Sequence, residues 1–325
     1  MKLKHIATIG LALAPTAAFA GPAINGAGAT FPAPIYQRWF VDYSSTTGEK
    51  VNYQSVGSGA GVRQFVAGTV DFGATDEPIK AKEAAKVKRG VVQIPMVGGT
   101  IAVAYNKPGC KLKLTQKQVV HIFMGHIKDW KEVGCAAGKM VTVHRSDGSG
   151  TTYAFTNSLD AFGGWAPGVG KSVNWPVGVG AKGNEGVAGT IKNTPGAIGY
   201  VNTGFVRVNK LQAAVLQNKA GKFVGPSAVT GAAALNGIKI DPVTLAGEDP
   251  NPAGALAYPI STLTWILAYK SGYPAGKAEA DREALNYALS TKAQGIADDL
   301  GYVPLAGSIL NKARIKVKQV GLGEK

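Results

Sequence analysis

Three stretches combine glycine and hydroxyl residues with what reads as the start of a helix. They are Gly26-Ala27-Gly28-Ala29-Thr30-Phe31-Pro32-Ala33-Pro34, Gly57-Ser58-Gly59-Ala60-Gly61-Val62 and Arg145-Ser146-Asp147-Gly148-Ser149-Gly150-Thr151-Thr152. Helix N-termini carry free N–H groups and the positive end of the helix dipole, so they hold anions. Glycine lets the backbone come close to a ligand, and hydroxyls add donors. Arg145 adds a planar, charged donor fork suited to a phosphate-like oxyanion. In the first stretch Thr30 is placed to cap and Pro32 suits a first turn. Taken singly, each stretch is equally compatible with an ordinary helix cap, Asp147 with a turn and Arg145 with a surface ion pair.

Other chemistry fails on spacing. Gly178-Val179-Gly180-Ala181-Lys182-Gly183 fits G-x-G-x-x-G. A dinucleotide site also needs an acid about twenty residues on, where the chain reads Ile198-Gly199-Tyr200-Val201-Asn202. Gly170-Lys171-Ser172 looks like the end of a P-loop, but Trp165 stands where its first glycine belongs. Beyond His5, which falls in the leader described next, the histidines are His121, His126 and His144. With no H-E-x-x-H and no G-x-S-x-G, zinc or serine-triad hydrolysis has no support, and neither a metal nor a cofactor is expected. A secreted phosphatase using the same anion cradle remains the alternative from another class, without an evident nucleophile.

The elements that must position these residues start after a leader. Lys2 and Lys4, an apolar run from Ile6 to Ala14, and Ala18-Phe19-Ala20 form a secretory signal peptide over residues 1–20. The run is too short to span a bilayer and no later stretch is long enough, so an exported, soluble protein is expected. No Cys near the cleavage point offers a lipid anchor. In an oxidising compartment the two cysteines, Cys110 and Cys135, suggest one disulfide. The chain has 325 residues, 45% of them apolar, enough for a large core and long for a single domain.

Its net charge of +15 raises nucleic acid as a partner, but no basic run is interleaved with aromatics, so none is expected. Val51–Val56, Val70–Ala74, Val91–Met96, Thr100–Tyr105, Val141–His144 and Ile260–Tyr269 read as strands. Helical patterns begin at Gly61, after a Thr115 cap, after an Asn184 cap and at Ala278. This alternation is α/β, with sheets covered by helices. Gln212–Asn236, rich in Ala, Gly and Lys, reads as a peripheral insertion.

Several of these stretches carry a family resemblance. Ala27–Pro34, Val70-Asp71-Phe72-Gly73-Ala74-Thr75-Asp76, Arg145–Thr151, Gly180-Ala181-Lys182-Gly183-Asn184-Glu185-Gly186-Val187, Pro195–Tyr200 and Tyr258-Pro259-Ile260-Ser261 resemble the PstS family. Its members are the periplasmic phosphate-binding proteins of high-affinity phosphate ABC transporters. The likeness runs in order over almost the whole chain after the leader. It implies a two-lobed periplasmic-binding-protein fold of type II, with two mixed sheets flanked by helices and joined by a two-segment hinge. Lobe one would be residues 21–104 plus 258–325, and lobe two residues 105–257.

The resemblance also implies a monomer that closes on one inorganic phosphate and delivers it to membrane permease subunits. Carried over by position, Thr30, Phe31, Ser58, Asp76, Arg145, Ser149, Gly150 and Thr151 would contact phosphate. Asp76 would accept a hydrogen bond from the ligand's own proton, and Asp147 would pair with Arg145. Thr75 and Ser146 stand where the family often has Ser and Ala. The disulfide is not a general family feature.

Overall fold

The structure is a computed structural model that describes residues 22–323. The expected leader lies outside the described residues. In chain order the first elements are β1 (Ile24–Gly28), α1 (Ala33–Thr47), β2 (Val51–Ser55), α2 (Ser58–Ala67), β3 (Phe72–Thr75), α3 (Ala81–Ala84) and β4 (Val91–Tyr105). Next come β5 (Lys113–Leu114), α4 (Gln116–Phe123), β6 (Val141–Arg145), α5 (Gly150–Phe162), β7 (Val179–Ala181), α6 (Gly183–Asn193), β8 (Ala197–Asn202) and α7 (Thr203–Asn209). The chain finishes with β9 (Gln212–Ala213), β10 (Val215–Gln217), β11 (Phe223–Val224), α8 (Ala228–Leu235), β12 (Ser261–Tyr269), α9 (Lys277–Ala288), α10 (Thr291–Gly295) and α11 (Gly307–Val317).

The main sheet runs β2-β1-β3-β12-β4-β8-β6-β7, with β9 also on β4. It is mixed: β1 is parallel to β2 and β3, β6 is parallel to β7 and β8, and β12 and β4 run antiparallel to their neighbours. A small sheet, β11-β10-β5, stands apart.

The stretches expected as two strands, Val91–Met96 and Thr100–Tyr105, are one 15-residue strand. Its first part pairs with β12 up to Thr100↔Ser261, and from Ile101↔Asn202 onward it pairs with β8. One strand thus belongs to both halves of the sheet. The register shifts between Thr264 and Trp265, opposite Val97 and Pro95. Proline has no N–H for a ladder, and a bulge is where a sheet tolerates it. The sequence break at Pro95 through the Gly98–Gly99 pair is therefore a bend within a strand.

Burial follows the sheet. The main core gathers Tyr36, Trp39, Phe72, Trp265 and Tyr302 under α1 and β12, and continues through Phe123, Trp130, Phe155 and Tyr200 in the other half. A smaller core of Val143, Val187, Ile191 and Phe205 lies between α6, β6 and β8. Gln212–Asn236 is not peripheral as expected. Leu216, Ala234 and Leu235 are buried, and a side chain at Gly98 of β4 would meet Leu235 at 2.2 Å. On α8 itself a side chain at Gly231 would meet Val303 at 2.5 Å and Thr100 at 3.0 Å, so the composition reflects tight packing and not looseness. Thr115 caps α4 as expected, with Gln118 completing a capping box. Cys110 and Cys135 form the expected disulfide, their Cα atoms 5.4 Å apart.

Candidate functional site

Parallel strands that end together deliver the following helix starts to one place, outside their carboxyl ends where the strand order reverses. Here β1 leads to Thr30 and α1, β2 to Ser58 and α2, β6 to Arg145 and α5, and β7 to Gly183 and α6. The three stretches singled out in the sequence converge in this way. Gly59 N–H donates to the Gly148 carbonyl at 2.8 Å, and a side chain on Gly150 would lie 2.6 Å from Ser58 Oγ and 2.7 Å from the Asp76 backbone nitrogen. Only glycine fits at 150. Gly57 (φ 91°) is held likewise, since a Cβ there would sit 2.3 Å from Asp147 Oδ2.

Asp76 follows β3 and is buried. Its Oδ1 accepts from Thr264 Oγ1 of β12 at 2.8 Å, its Oδ2 from Thr151 Oγ1 across the cleft at 3.4 Å, and its own N–H donates to Ser58 Oγ at 3.2 Å. Burial pushes its pKa up to about 7, against the pull of Thr264, the Arg145 charge, Thr151 and Ser58.

Arg145 closes β6 with its guanidinium buried. Nε donates to Asp147 Oδ1 at 2.7 Å and Nη2 to Asp147 Oδ2 at 2.6 Å. Nη1 is buried with no partner among the described residues. Burial raises the Asp147 pKa, but the Arg145 hydrogen bonds and charge outweigh that and hold it below the usual carboxylate value. Asp147 is thus an ionised counterweight, and it also accepts from Gly183 N–H at 3.1 Å.

Ser149 caps α5, its Oγ accepting from Thr152 N–H at 3.0 Å. Phe31 puts its ring into the core, edge-on to Tyr302 with centroids 6.0 Å apart. Only its backbone is then free for a ligand. Thr30 does not cap α1; Pro32 holds that position. Its hydroxyl instead accepts from Asn184 N–H at 3.0 Å and from Asn184 Nδ2 at 2.8 Å. Asn184 in turn is not the cap of α6 but lies inside it, after Lys182 and Gly183. Its Nδ2 also reaches Thr151 Oγ1 at 3.0 Å, and its Oδ1 accepts from Asn202 N–H at 2.9 Å. A side chain read as a local cap is the knot between Thr30 and Thr151.

Sequence reasoning missed Thr264 as well. The available signal was a hydroxyl alternating with apolar residues in Thr262-Leu263-Thr264-Trp265. The rejected glycine pattern at 178–183 does lie on a strand–turn–helix, but there Gly183 serves Asp147. His144 stacks on Trp175, and His121 lies against His126. Among the described residues no group of three or more His, Cys, Asp or Glu could hold a metal, and no helix is long and apolar enough to cross a membrane.

A cleft between two sheet halves that share a strand, lined by helix N-termini, defines a class of binding protein. The family model that matches residues 14–292 is that of the PBP superfamily domain. The phosphate-binding protein PstS of Pasteurella multocida is 40% identical over 314 residues, 91% of this chain and 90% of that protein. PstS of Methanocaldococcus jannaschii is 36% identical over 311 residues, 82% and 78% of the two chains.

Among solved structures, a phosphate-binding protein from Stenotrophomonas maltophilia superposes with a TM-score of 0.73 at 20% identity, over 90% of this chain and 93% of that one. An ABC-type phosphate transport receptor from Vibrio cholerae gives 0.58 at 21% identity, over 86% and 99%. At such identities these structures establish the two-lobed fold. The chain belongs to the PBP superfamily and, within it, to the PstS family.

Proposed function

We propose that this protein captures inorganic phosphate outside the cytoplasmic membrane and hands it to the permease of an ABC-type phosphate transporter. One observation carries the reading: Arg145 Nη1, a buried donor with no partner among the described residues, and Asp76, a buried acceptor, belong to one cradle, and the Arg145 charge acts on Asp76. Phosphate answers both demands. Its oxygens accept from Arg145, from the hydroxyls of Thr30, Ser58 and Ser149, from that of Thr151 once its proton leaves the 3.4 Å contact with Asp76, and from backbone N–H groups at Phe31 and Gly150. Its remaining proton donates to Asp76. Sulfate has no such proton, and the unmade bond to a buried acceptor costs roughly 1–3 kcal/mol before charge repulsion is added. Asp147 balances Arg145, so the site discriminates by hydrogen bonding as well as by charge.

The chain acts as a binding protein, not a phosphatase, and works as an exported monomer in the periplasm after removal of residues 1–20. Lobe one is residues 21–104 with 258–325, and lobe two is residues 105–257. The change of partner in β4 at Thr100–Ile101, just before the first boundary, and the entry to β12 just after the second one support a hinge through these two segments. Calorimetry tests the reading: one phosphate per chain, with no competition from a large excess of sulfate. Effective sulfate competition in the wild type at pH 8 would overturn it. Turnover of a phosphate ester would favour the enzyme alternative, and a scattering profile unchanged by saturating phosphate would argue against closure.

A further inference from the structure

The stretch Gly170-Lys171-Ser172, rejected above as a P-loop, has an unexplained position. It lies in the loop between α5 and β7, yet the Lys171 ammonium reaches the opposite half of the molecule. Its Nζ is 2.8 Å from Glu77 Oε2 and 3.6 Å from Glu83 Oε1 of α3. The Glu77 side chain is only 3% exposed and that of Lys171 only 14%. The exposed Lys80 is the other cation on Glu77, at 3.1 Å. Glu248, which accepts from Tyr153 on α5, is a further acid nearby, its pKa raised first by burial and also by the Glu77 charge.

Both ends of the Lys171–Glu77 pair are tied to the anion cradle. Glu77 directly follows Asp76, and its backbone is fixed by Thr75, whose hydroxyl donates to the Glu77 carbonyl at 2.7 Å and accepts from its N–H at 3.2 Å. On the other side the Lys171 carbonyl accepts from Ser149 N–H at 2.8 Å, and the neighbouring Gly170 N–H donates to Thr156 Oγ1 at 3.3 Å. The ion pair therefore joins the residue next to Asp76 with the residue that holds Ser149. It forms only when the two ligand-bearing segments have come together. A partly desolvated pair of this kind acts on the lifetime of an assembled state more than on its rate of formation.

We propose that Lys171 is a positioning residue that latches the two lobes shut: its ammonium on Glu77 and Glu83 retains bound phosphate without touching it. The latch rests on the phosphate-binding reading and adds to it a determinant of release, the step that delivery to a permease requires. Opening the latch requires Lys171 to give up Glu77, so a competing anion near Lys171 releases the lobes.

Stopped-flow kinetics with inorganic phosphate on the full mature chain test this. Lys171→Met should raise the dissociation rate at least about tenfold and leave the association rate within about threefold. Glu77→Gln should do the same, and the double variant should add little to either single one. Lys171→Arg, which keeps the charge, should restore slow release. High salt should speed release from the wild type and have less effect on Lys171→Met. A wild-type dissociation rate in both Lys171→Met and Glu77→Gln would overturn the latch while leaving phosphate binding intact. So would additive effects of the two changes, or a failure of Lys171→Arg to rescue. If the wild type binds no phosphate, it is the underlying function that fails, and this is read first from calorimetry. Should Lys171→Met fold poorly, Glu77→Gln and the salt dependence of the wild type decide the matter alone.

Discussion

The two sides of the cleft each place an aspartate at the site, and the two are treated in opposite ways. Asp147 stands beside Arg145, engaged by two of its nitrogens, and is held ionised. Among the described residues Asp76 has only hydroxyl partners for its oxygens; it lies deeper and is pushed up to about 7. The same side chain is thus a permanent counter-charge on one side and a group poised to gain or lose a proton on the other. What separates them is the neighbour: a fixed cation offsets desolvation, whereas hydroxyls offset only part of it. In the proposed function the side with Arg145 attracts the anion, and the side with Asp76 tests whether that anion carries a proton.

Removing Arg145 breaks this contrast most severely. Arg145→Ala leaves the half-buried Asp147 without its partner and takes away the donor Nη1. Phosphate affinity should fall by roughly a hundred- to a thousandfold, as for other truncations of buried charge pairs. Helix N-termini should retain a residue of binding. Titration calorimetry measures it, and an unchanged affinity would exclude Arg145 from the site.

Asp76→Asn turns the discriminating side into a donor. Sulfate should then compete with phosphate, which it should not do in the wild type at pH 8. The wild type itself should admit sulfate more readily below pH 7, where Asp76 gains its proton. Stability gives an independent reading. The folded pKa of Asp76 lies above its ordinary value, so its stabilising contribution is full below about pH 4 and lost as pH rises through about 7. Asp76→Asn should therefore melt higher than the wild type at pH 8, by an amount corresponding to at most roughly 4 kcal/mol, with a smaller gap at pH 5. Asp281, buried on α9 where it accepts from the Tyr273 hydroxyl and also pushed up to about 7, is the control. Asp281→Asn should share the stability profile and leave sulfate exclusion alone.

Thr264→Val sharpens the comparison at lower cost. It removes the shortest hydrogen bond to Asp76 and leaves a buried carboxylate one donor short. The Asp76 pKa should rise further, and phosphate affinity at pH 8 should fall by roughly tenfold or less. Competition titrations at several pH values would detect the shift, and an unmoved pH profile would deny Thr264 any part in tuning Asp76.

How much of this the sequence carried follows from the range of each interaction. The helix starts were legible because glycine, hydroxyl and proline preferences are local, and Ser58, Ser149 and Thr151 lie where those preferences put them. Convergence was not legible. Thr264 and Asp76 are 188 residues apart, Asn184 and Thr30 are 154 apart, and each bond depends on sheet order. Asn184 was misread because a cap is the usual use of Asn near a helix start, while its side chain is spent on Thr30, Thr151 and Asn202. The strand break at Pro95 and Gly98–Gly99 misled in the same way: local chemistry said stop, but pairing with β12 on one side and β8 on the other kept the chain extended.

The smallest effect on binding belongs to the disulfide. Cys110 follows the end of β4, and Cys135 precedes β6, whose far end carries Arg145. The bridge therefore sits at the opposite end of these strands from the cleft. Its neighbours are Tyr105, whose hydroxyl donates to the Cys110 carbonyl at 2.8 Å, and the buried Trp130, whose carbonyl accepts from Cys135 N–H at 3.1 Å. Both cysteines lie within the proposed second lobe, so on that reading the bridge constrains the unfolded chain without linking the two lobes. In the chain-entropy account a bridge between residues 25 apart in sequence adds roughly 3–4 kcal/mol. Cys110→Ser with Cys135→Ser should lower the melting temperature by several degrees and leave phosphate affinity and sulfate exclusion within about twofold. Calorimetric melting and the same competition titration check the two halves of this statement. A large loss of affinity with a modest loss of stability would mean that strain at this end of β4 and β6 is transmitted to Arg145. The two sides of the cleft would then not be separable in the way Asp76 and Asp147 suggest.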